Sequence, residues 1–295
     1  MSRYWYLSAG KMKVFSLGLL ILSVLAVNAH AQGILGTAGS YAVLGGGSVT
    51  NTGTTTLGGD LGVSPGTSIT GGVVCPAAGC IDFSSGTTDI SDAATAQGSA
   101  SSAYTTMMGL ASSGDDLGAG VVQLGGANLG AGVYSIGAAL LTGTLTLDFT
   151  GGDQSIVIDI GSTLTTASGP GAASVNLVGA TSTDSVYWVV GSAATIGTNT
   201  SFMGNIIALS GVQMETSAKD SCGSVIALSG GAVTLDANTI DTGCNGTPAT
   251  TVAGTGPGSG TGYTVVPEGG STLLYLCSFL LPLGAMRVFR FRRSI

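Results

Sequence analysis

The polar chemistry open to this chain rests mostly on hydroxyl side chains, which recur at regular spacing in two series. In the first, Thr144, Thr146, Thr163, Thr165, Thr195 and Thr234 take the outward positions beside Leu145, Leu164, Ile196 and Val233, while Gln213 and Glu215 occupy that ladder in the Val212 to Glu215 segment. In the second, just past the next corner, lie Thr166, Ser168, Thr198, Thr200, Thr216 and Ser217, with Thr52 and Thr54 as the early contribution. Outward residues on a strand recur about every 6.6 Å and neighbouring strands lie about 4.8 Å apart. Threonine has a stiff χ1 and presents a methyl beside a hydroxyl. A flat face built from either series can therefore hold water in a lattice-like array. Threonine also suits strand surfaces in general, so its abundance alone assigns no function.

Other chemistries lack their residues. Between residues 32 and 266 the only basic side chain is Lys219, set against fourteen Asp and Glu. Nucleic-acid binding needs cations to displace counterions, and that class is excluded. The single histidine, His30, lies in a segment expected to be removed, which leaves the mature domain without the usual general bases and oxyanion clamps. Carboxylates alone can hydrolyse glycosides, and a β-helix polysaccharide enzyme would have only Lys219 as its basic residue. Gly58-Gly59-Asp60 occurs once and without a period, so it reads as a turn rather than a calcium repeat. Cys75 and Cys80 enclose a Pro- and Gly-containing loop, and Cys222 and Cys244 are the remaining pair of the mature domain. In an exported chain these pair as disulfides, Cys75–Cys80 and Cys222–Cys244. No companion ligands suggest a metal, and no cofactor is implied.

The elements that must position these residues are set by a repeat. Gly204 to Gly211, G-N-I-I-A-L-S-G, returns nineteen residues later as G-S-V-I-A-L-S-G at Gly223 to Gly230, each copy leading into an alternating segment. A period of about twenty residues with glycine punctuation reads as one solenoid coil per repeat, with three short strands and three corners. The expected fold is mainly β, a triangular solenoid, with one long helix. That helix is expected at about residues 89–110, where Ala93, Ala96, Ala100, Ala103, Met107 and Leu110 share a face. The first coils are placed from Ile34 to Pro65, and the solenoid is expected to resume at Leu129 and run to Ile240.

The ends of the chain read as addresses. Residues 1–31 carry three basic residues, an apolar run from Val14 to Val27 and the small-x-small site Ala29-His30-Ala31, the pattern of a cleaved secretory signal; a start at Met12 would make a more ordinary one. Residues 32–242 form the domain and 243–265 a Gly/Thr/Pro linker. The chain closes with Val266-Pro267-Glu268, an apolar run from Leu273 to Met286 and Arg287, Arg290, Arg292 and Arg293, so 266–295 reads as a sorting segment with a short span.

Two resemblances follow. The tail resembles the PEP-CTERM class of bacterial sorting signals, matching at Val266, Pro267 and Glu268, at the apolar run and at the arginine cluster. This implies an exosortase-type processing enzyme, a transient inner-membrane anchor, and delivery to the cell surface or an exopolysaccharide matrix. The domain resembles the microbial ice-binding family built on a right-handed discontinuous β-solenoid. The resemblance is carried by L-G-T-A-G-S-Y-A-V-L from Leu35, G-D-L-G-V-S-P-G-T-S-I-T-G from Gly59, L-T-G-T-L-T-L-D from Leu141, the segment from Val186 to Leu209, and A-V-T-L-D-A-N-T-I from Ala232. It implies a monomer that adsorbs to an ice crystal surface and is not an enzyme. In similar family members the ice-facing strand follows a Thr-Gly-x-Thr/Asn corner, which Thr198 to Ser201 resembles; the resemblance thus points to the second series. Where relatives carry N-G-R-A-L-A this chain has Cys222-Gly-Ser-Val-Ile-Ala-Leu, an arginine lost and a cysteine gained. The alternative is a structural or adhesive matrix protein on the same rigid frame, without ice activity.

Overall fold

In the computed structural model the described residues are 33–74, 90–151, 154–228, 230–243, 251–252 and 263–264. The chain divides into two units, residues 1–30 with 268–295, and residues 31–267; all described residues belong to the second. The signal, the sorting segment, Cys75, Cys80 and Cys244 lie outside the described residues. Among the described residues no helix is long and apolar enough to cross a membrane.

The short, β-branched, glycine-punctuated segments form parallel strands in three stacks. The first stack runs Asp60–Val63, Tyr41–Gly45, Val225–Ala227, Asn205–Ala208, Ser185–Val190, Ser155–Ile160 and the first half of Gly132–Leu141. The second half of Gly132–Leu141 opens another stack, continued by Leu164–Thr166, Ala193–Ile196, Gly211–Met214, Ala232–Asp236, Ser48–Thr52 and Ser68–Thr70. A third runs Asn128–Gly130, Thr144–Asp148, Ser174–Val178, Ser201–Phe202, Lys219–Asp220, Thr239–Asp241, Thr55–Gly58 and Val73–Val74. Each coil gives one strand to each stack, the solenoid-like arrangement anticipated from the repeat. The coils do not stack in chain order: Val43 pairs with Val225, Val49 with Val233 and Leu57 with Ile240, so the N-terminal coils sit on the last one. The parallel pairing also begins earlier than Leu129, because Asp115–Gln123 already lies along Gly132–Leu141.

Strands of the first stack are buried on both sides, as parallel strands with covered faces are. Ile156, Ile158, Ile160, Trp188, Val190 and Ile206 face the interior of the coils. Their neighbours Val157, Tyr187, Val189, Ile207 and Ile226 face outward, into a second cluster under the helix α1, Ile90–Leu110. The helix matches its expected bounds within a residue; Ala93, Ala96, Ala100, Ala103 and Met107 are all buried. Small side chains let its backbone lie close to the sheet. A helix of this length spans about 31 Å, and the six gaps between seven strands span about 29 Å, so one helix covers the whole stack. Gln97 Nε2 donates to Ala227 O at 2.9 Å, and Thr37 Oγ1 and Ser99 Oγ share a hydrogen bond of 2.9 Å. Beyond the solenoid, Thr251–Val252 and Tyr263–Thr264 pair antiparallel within the expected linker.

Two buried carboxylates oppose this packing. Asp159 lies in register between Ser135 and Val189, and burial pushes its pKa from 3.8 up to about 6. Asp220 is fully buried and rises from 3.8 to about 7, although its Oδ1 accepts a hydrogen bond from Cys222 N at 3.3 Å.

Two outcomes are expected. Ala100→Leu wedges the helix off the sheet and lowers stability by about 1–3 kcal/mol, read from the denaturant midpoint. A carboxyl whose folded pKa is raised binds its proton more tightly in the folded state, so the stability it contributes is present at low pH and is lost as pH rises through its folded pKa. The melting temperature should therefore fall between about pH 4 and pH 7, the window set by Asp220, and Asp220→Asn should flatten much of that slope. A slope unchanged in Asp220→Asn would exclude this assignment.

Candidate functional site

Alternation within a strand decides which side chains leave the core. On the second stack the inward residues Val49, Leu164, Ile196, Val212 and Val233 are buried. The register places Thr165 beside Thr195, Thr195 beside Gln213, Gln213 beside Thr234, Thr234 beside Thr50 and Thr50 beside Thr70. Leu140 and then Gln123 extend this column at one end. Thr195 is half-buried and the other members from Thr165 to Thr70 are exposed. Thr70 Oγ1 donates to Thr50 Oγ1 at 3.3 Å. A parallel column two residues earlier is small: Ser68, Ser48, Ala232, Gly211 and Ala193 in register. The result is a face of threonine hydroxyls and methyls beside a low strip of small residues, with one glutamine in the row.

Thr163, Thr165, Thr195 and Thr234 of the first series thus belong to this stack. Thr144 and Thr146 do not: they sit in the third stack, paired with Ser174 and Asn176. The T-L-T alternation is the same in both places, so local pattern could not separate them. Thr50 and Thr70, which complete the column, were not singled out from the sequence. The signal was there, as small residue, apolar residue, threonine: Ser48-Val49-Thr50, Ser68-Ile69-Thr70, Ala193-Ala194-Thr195 and Ala232-Val233-Thr234 share it.

The second series lies at the corner beyond this face, and part of it must be corrected. Thr200 is fully buried and Thr166 nearly so. Thr166 Oγ1 and Thr200 Oγ1 share a hydrogen bond of 2.9 Å, Thr166 Oγ1 accepts from Gly197 N at 2.7 Å, and Thr200 Oγ1 donates to Ala167 O at 3.3 Å. These hydroxyls satisfy corner backbone inside the coil and cannot reach an external surface. Thr52, Thr54, Ser168 and Thr216 are exposed, with Thr198 and Ser217 half-buried. Their corner turns through left-handed residues in successive coils, Gly53 (φ 71°), Ala237 (φ 50°), Ser217 (φ 60°) and Asn199 (φ 61°). Two of these coils place a carboxylate there. Glu215 Oε2 accepts from Ser168 Oγ (2.6 Å), Thr198 N (3.0 Å) and Thr198 Oγ1 (3.1 Å), tying three coils together, and Asp236 Oδ2 accepts from Thr216 Oγ1. Those hydrogen bonds, chiefly the Ser168 hydroxyl, hold the Glu215 carboxyl below its ordinary range. Ser168, Thr198 and Thr216 are therefore committed to charged partners, whereas no hydroxyl of the threonine column bonds a carboxylate among the described residues.

The third stack offers the rival surface. Thr144, Ser174, Ser201, Lys219, Thr239 and Thr56 form one register column, flanked by Asn176, Thr146 and Asn128. It carries the ammonium of Lys219 and the exposed carboxylate of Asp241. Among the described residues no group of three His, Cys, Asp or Glu side chains is placed to hold a metal.

The helix-backed stack of parallel coils is a fold that this chain shares with solved ice-binding proteins. The chain belongs to their family: the family model described as Ice-binding-like matches residues 43–241. It is similar to the ice-binding protein of Nostoc sp. (strain HG1), at 38% identity over 262 residues, 88% of this chain and 87% of that protein. Among solved structures it is similar to an ice-binding protein from an Antarctic biological consortium, with TM-score 0.56 and 34% identity over 70% of this chain and 89% of that one. The ice-binding protein of the Antarctic ascomycete Antarctomyces psychrotrophicus gives TM-score 0.57 and 30% identity over 70% and 97% of the two chains.

The corrected geometry makes a direct forecast. Thr200→Tyr forces a ring into a filled corner and leaves buried backbone groups without partners, so it should cost more than about 3 kcal/mol. A melting temperature within a degree of the parent would mean Thr200 is not packed in the corner.

Proposed function

We propose that this protein is exported and adsorbs to ice through the threonine column of the second stack, Thr70, Thr50, Thr234, Thr195 and Thr165. The observation that carries this reading is the register. Five threonines repeat at strand spacing on a surface whose inward residues are fixed by a packed core. Methyl and hydroxyl groups held at constant height can order water without the competing shells that charged groups impose, and this face keeps its carboxylates, Glu215 and Asp236, at the corner. The third stack has Lys219 and Asp241 on its surface, which disfavours it. Relatives named as ice-binding proteins, at 38% and 34% identity, support the same activity. Adsorption is a binding function and requires no catalytic group. Thr52 and Thr216 would then form the rim of the site rather than its centre.

Several finer features belong to this proposal. The coils run right-handed with a triangular section, as the resemblance implies. Cys222, which is buried and disulfide-bonded, pairs with Cys244, and Cys75 with Cys80. The Val266-Pro267-Glu268 segment directs processing by an exosortase-type enzyme after a transient inner-membrane stage, leaving the domain at the cell surface or in the exopolysaccharide matrix.

The test is recrystallisation inhibition and thermal hysteresis alongside melting temperature. Thr195→Tyr should abolish most activity by lifting the face off the crystal, while stability falls by no more than about 1 kcal/mol because the side chain, though half-buried, points away from the core. Thr146→Tyr, on the third stack, should leave activity near the parent value. The opposite pattern would move the site to the third stack, and an inactive parent would favour an adhesive matrix protein.

A further inference from the structure

The threonine column is interrupted once, near its middle. Gln213 stands in register between Thr195 and Thr234 and is exposed. Its side chain reaches beyond threonine's γ atoms by a whole carboxamide group, so it rises above the methyl and hydroxyl plane. Nothing of similar height stands beside it in the adjacent column, where the neighbours are Gly211, Ala193 and Ala232. The other glutamine of the same column is held differently. At the column's far end, Gln123 Nε2 donates to Thr142 Oγ1 while its Oε1 accepts from Gly125 N at 2.8 Å and Thr142 N at 3.0 Å. Gln213 makes no such bond to a described residue, so its amide keeps the rotamer freedom of a long side chain and would lose it on immobilisation.

We infer that Gln213 sets the strength of this face, dividing it into one array of Thr165 and Thr195 and another of Thr234, Thr50 and Thr70. The inference rests on the reading of the threonine face given above. Each array alone can order only a small patch of water. A continuous row would engage one crystal surface with both at once, the condition under which linked weak contacts reinforce each other. Gln213 therefore acts as a gap in the contact surface, and the protein is tuned to weak or moderate adsorption by one side chain. Removing it should strengthen binding, which a residue making favourable ice contacts would not do.

The experiment compares thermal hysteresis and recrystallisation inhibition of the full-chain protein with those of Gln213→Thr, Gln213→Ala and Thr195→Tyr at equal concentration, with melting temperatures. Gln213→Thr, which makes six threonines consecutive, should raise thermal hysteresis at least about twofold at an unchanged melting temperature. Gln213→Ala, which clears the protrusion without completing the row, should fall between parent and Gln213→Thr, and it carries the test if Gln213→Thr melts lower. Equal or reduced activity in the folded Gln213 variants, with Thr195→Tyr inactive, would overturn the inference while leaving the face in place. Full activity in Thr195→Tyr, or none in the parent, would remove the face itself and the inference with it.

Discussion

The parallel main-chain ladder between successive coils is the constraint on which everything else depends. It stacks backbones at a fixed spacing near 4.8 Å and passes that spacing to whatever side chains point outward. The interior residues enforce it: Val49, Val233, Val212, Ala194 and Leu164 fill the core at equivalent positions. A change of volume there would tilt one strand against its neighbours. The regular spacing of the threonine column is thus a property of the core beneath it.

Two of the three stacks reach solvent and one does not. The covered stack needs apolar residues on both sides, and the alanine-lined helix supplies the outer layer along its length. With that side closed, the remaining stacks need only alternate, inward apolar and outward polar. The same economy explains the low charge of the domain: hydroxyls and amides keep the outer faces soluble without the side-chain bulk that would roughen them. On the second stack the carboxylates are drawn into the corner, as Glu215 is by Ser168 and Thr198.

The sequence made the repeat and the helix legible because both depend on local periodicity. The copies at Gly204 and Gly223 fall on equivalent strands of adjacent coils, and the helix bounds follow from alanines three and four apart. The facing of individual threonines was less legible. Coil lengths differ, with 30 residues from Thr165 to Thr195, 18 from there to Gln213 and 21 to Thr234, so counting does not carry a position from one coil to the next. Corners also reset the alternation, and Thr200 turns inward where a strand pattern would turn it out. That the early coils stack beyond the last one is a tertiary fact; Thr50 found its place in the column only through its pairing with Thr234.

That stacking order imposes a timetable on the chain. Val43 has its strand partner at Val225, 182 positions later, so the first coils leave the ribosome without the edge they will rest on. At roughly 5–20 residues per second the wait is on the order of 10–40 s. During that interval Tyr41–Gly45 cannot close its sheet on that side, and the helix has only part of its stack to cover. A chain built this way cannot complete the first stack until its last coil has been made.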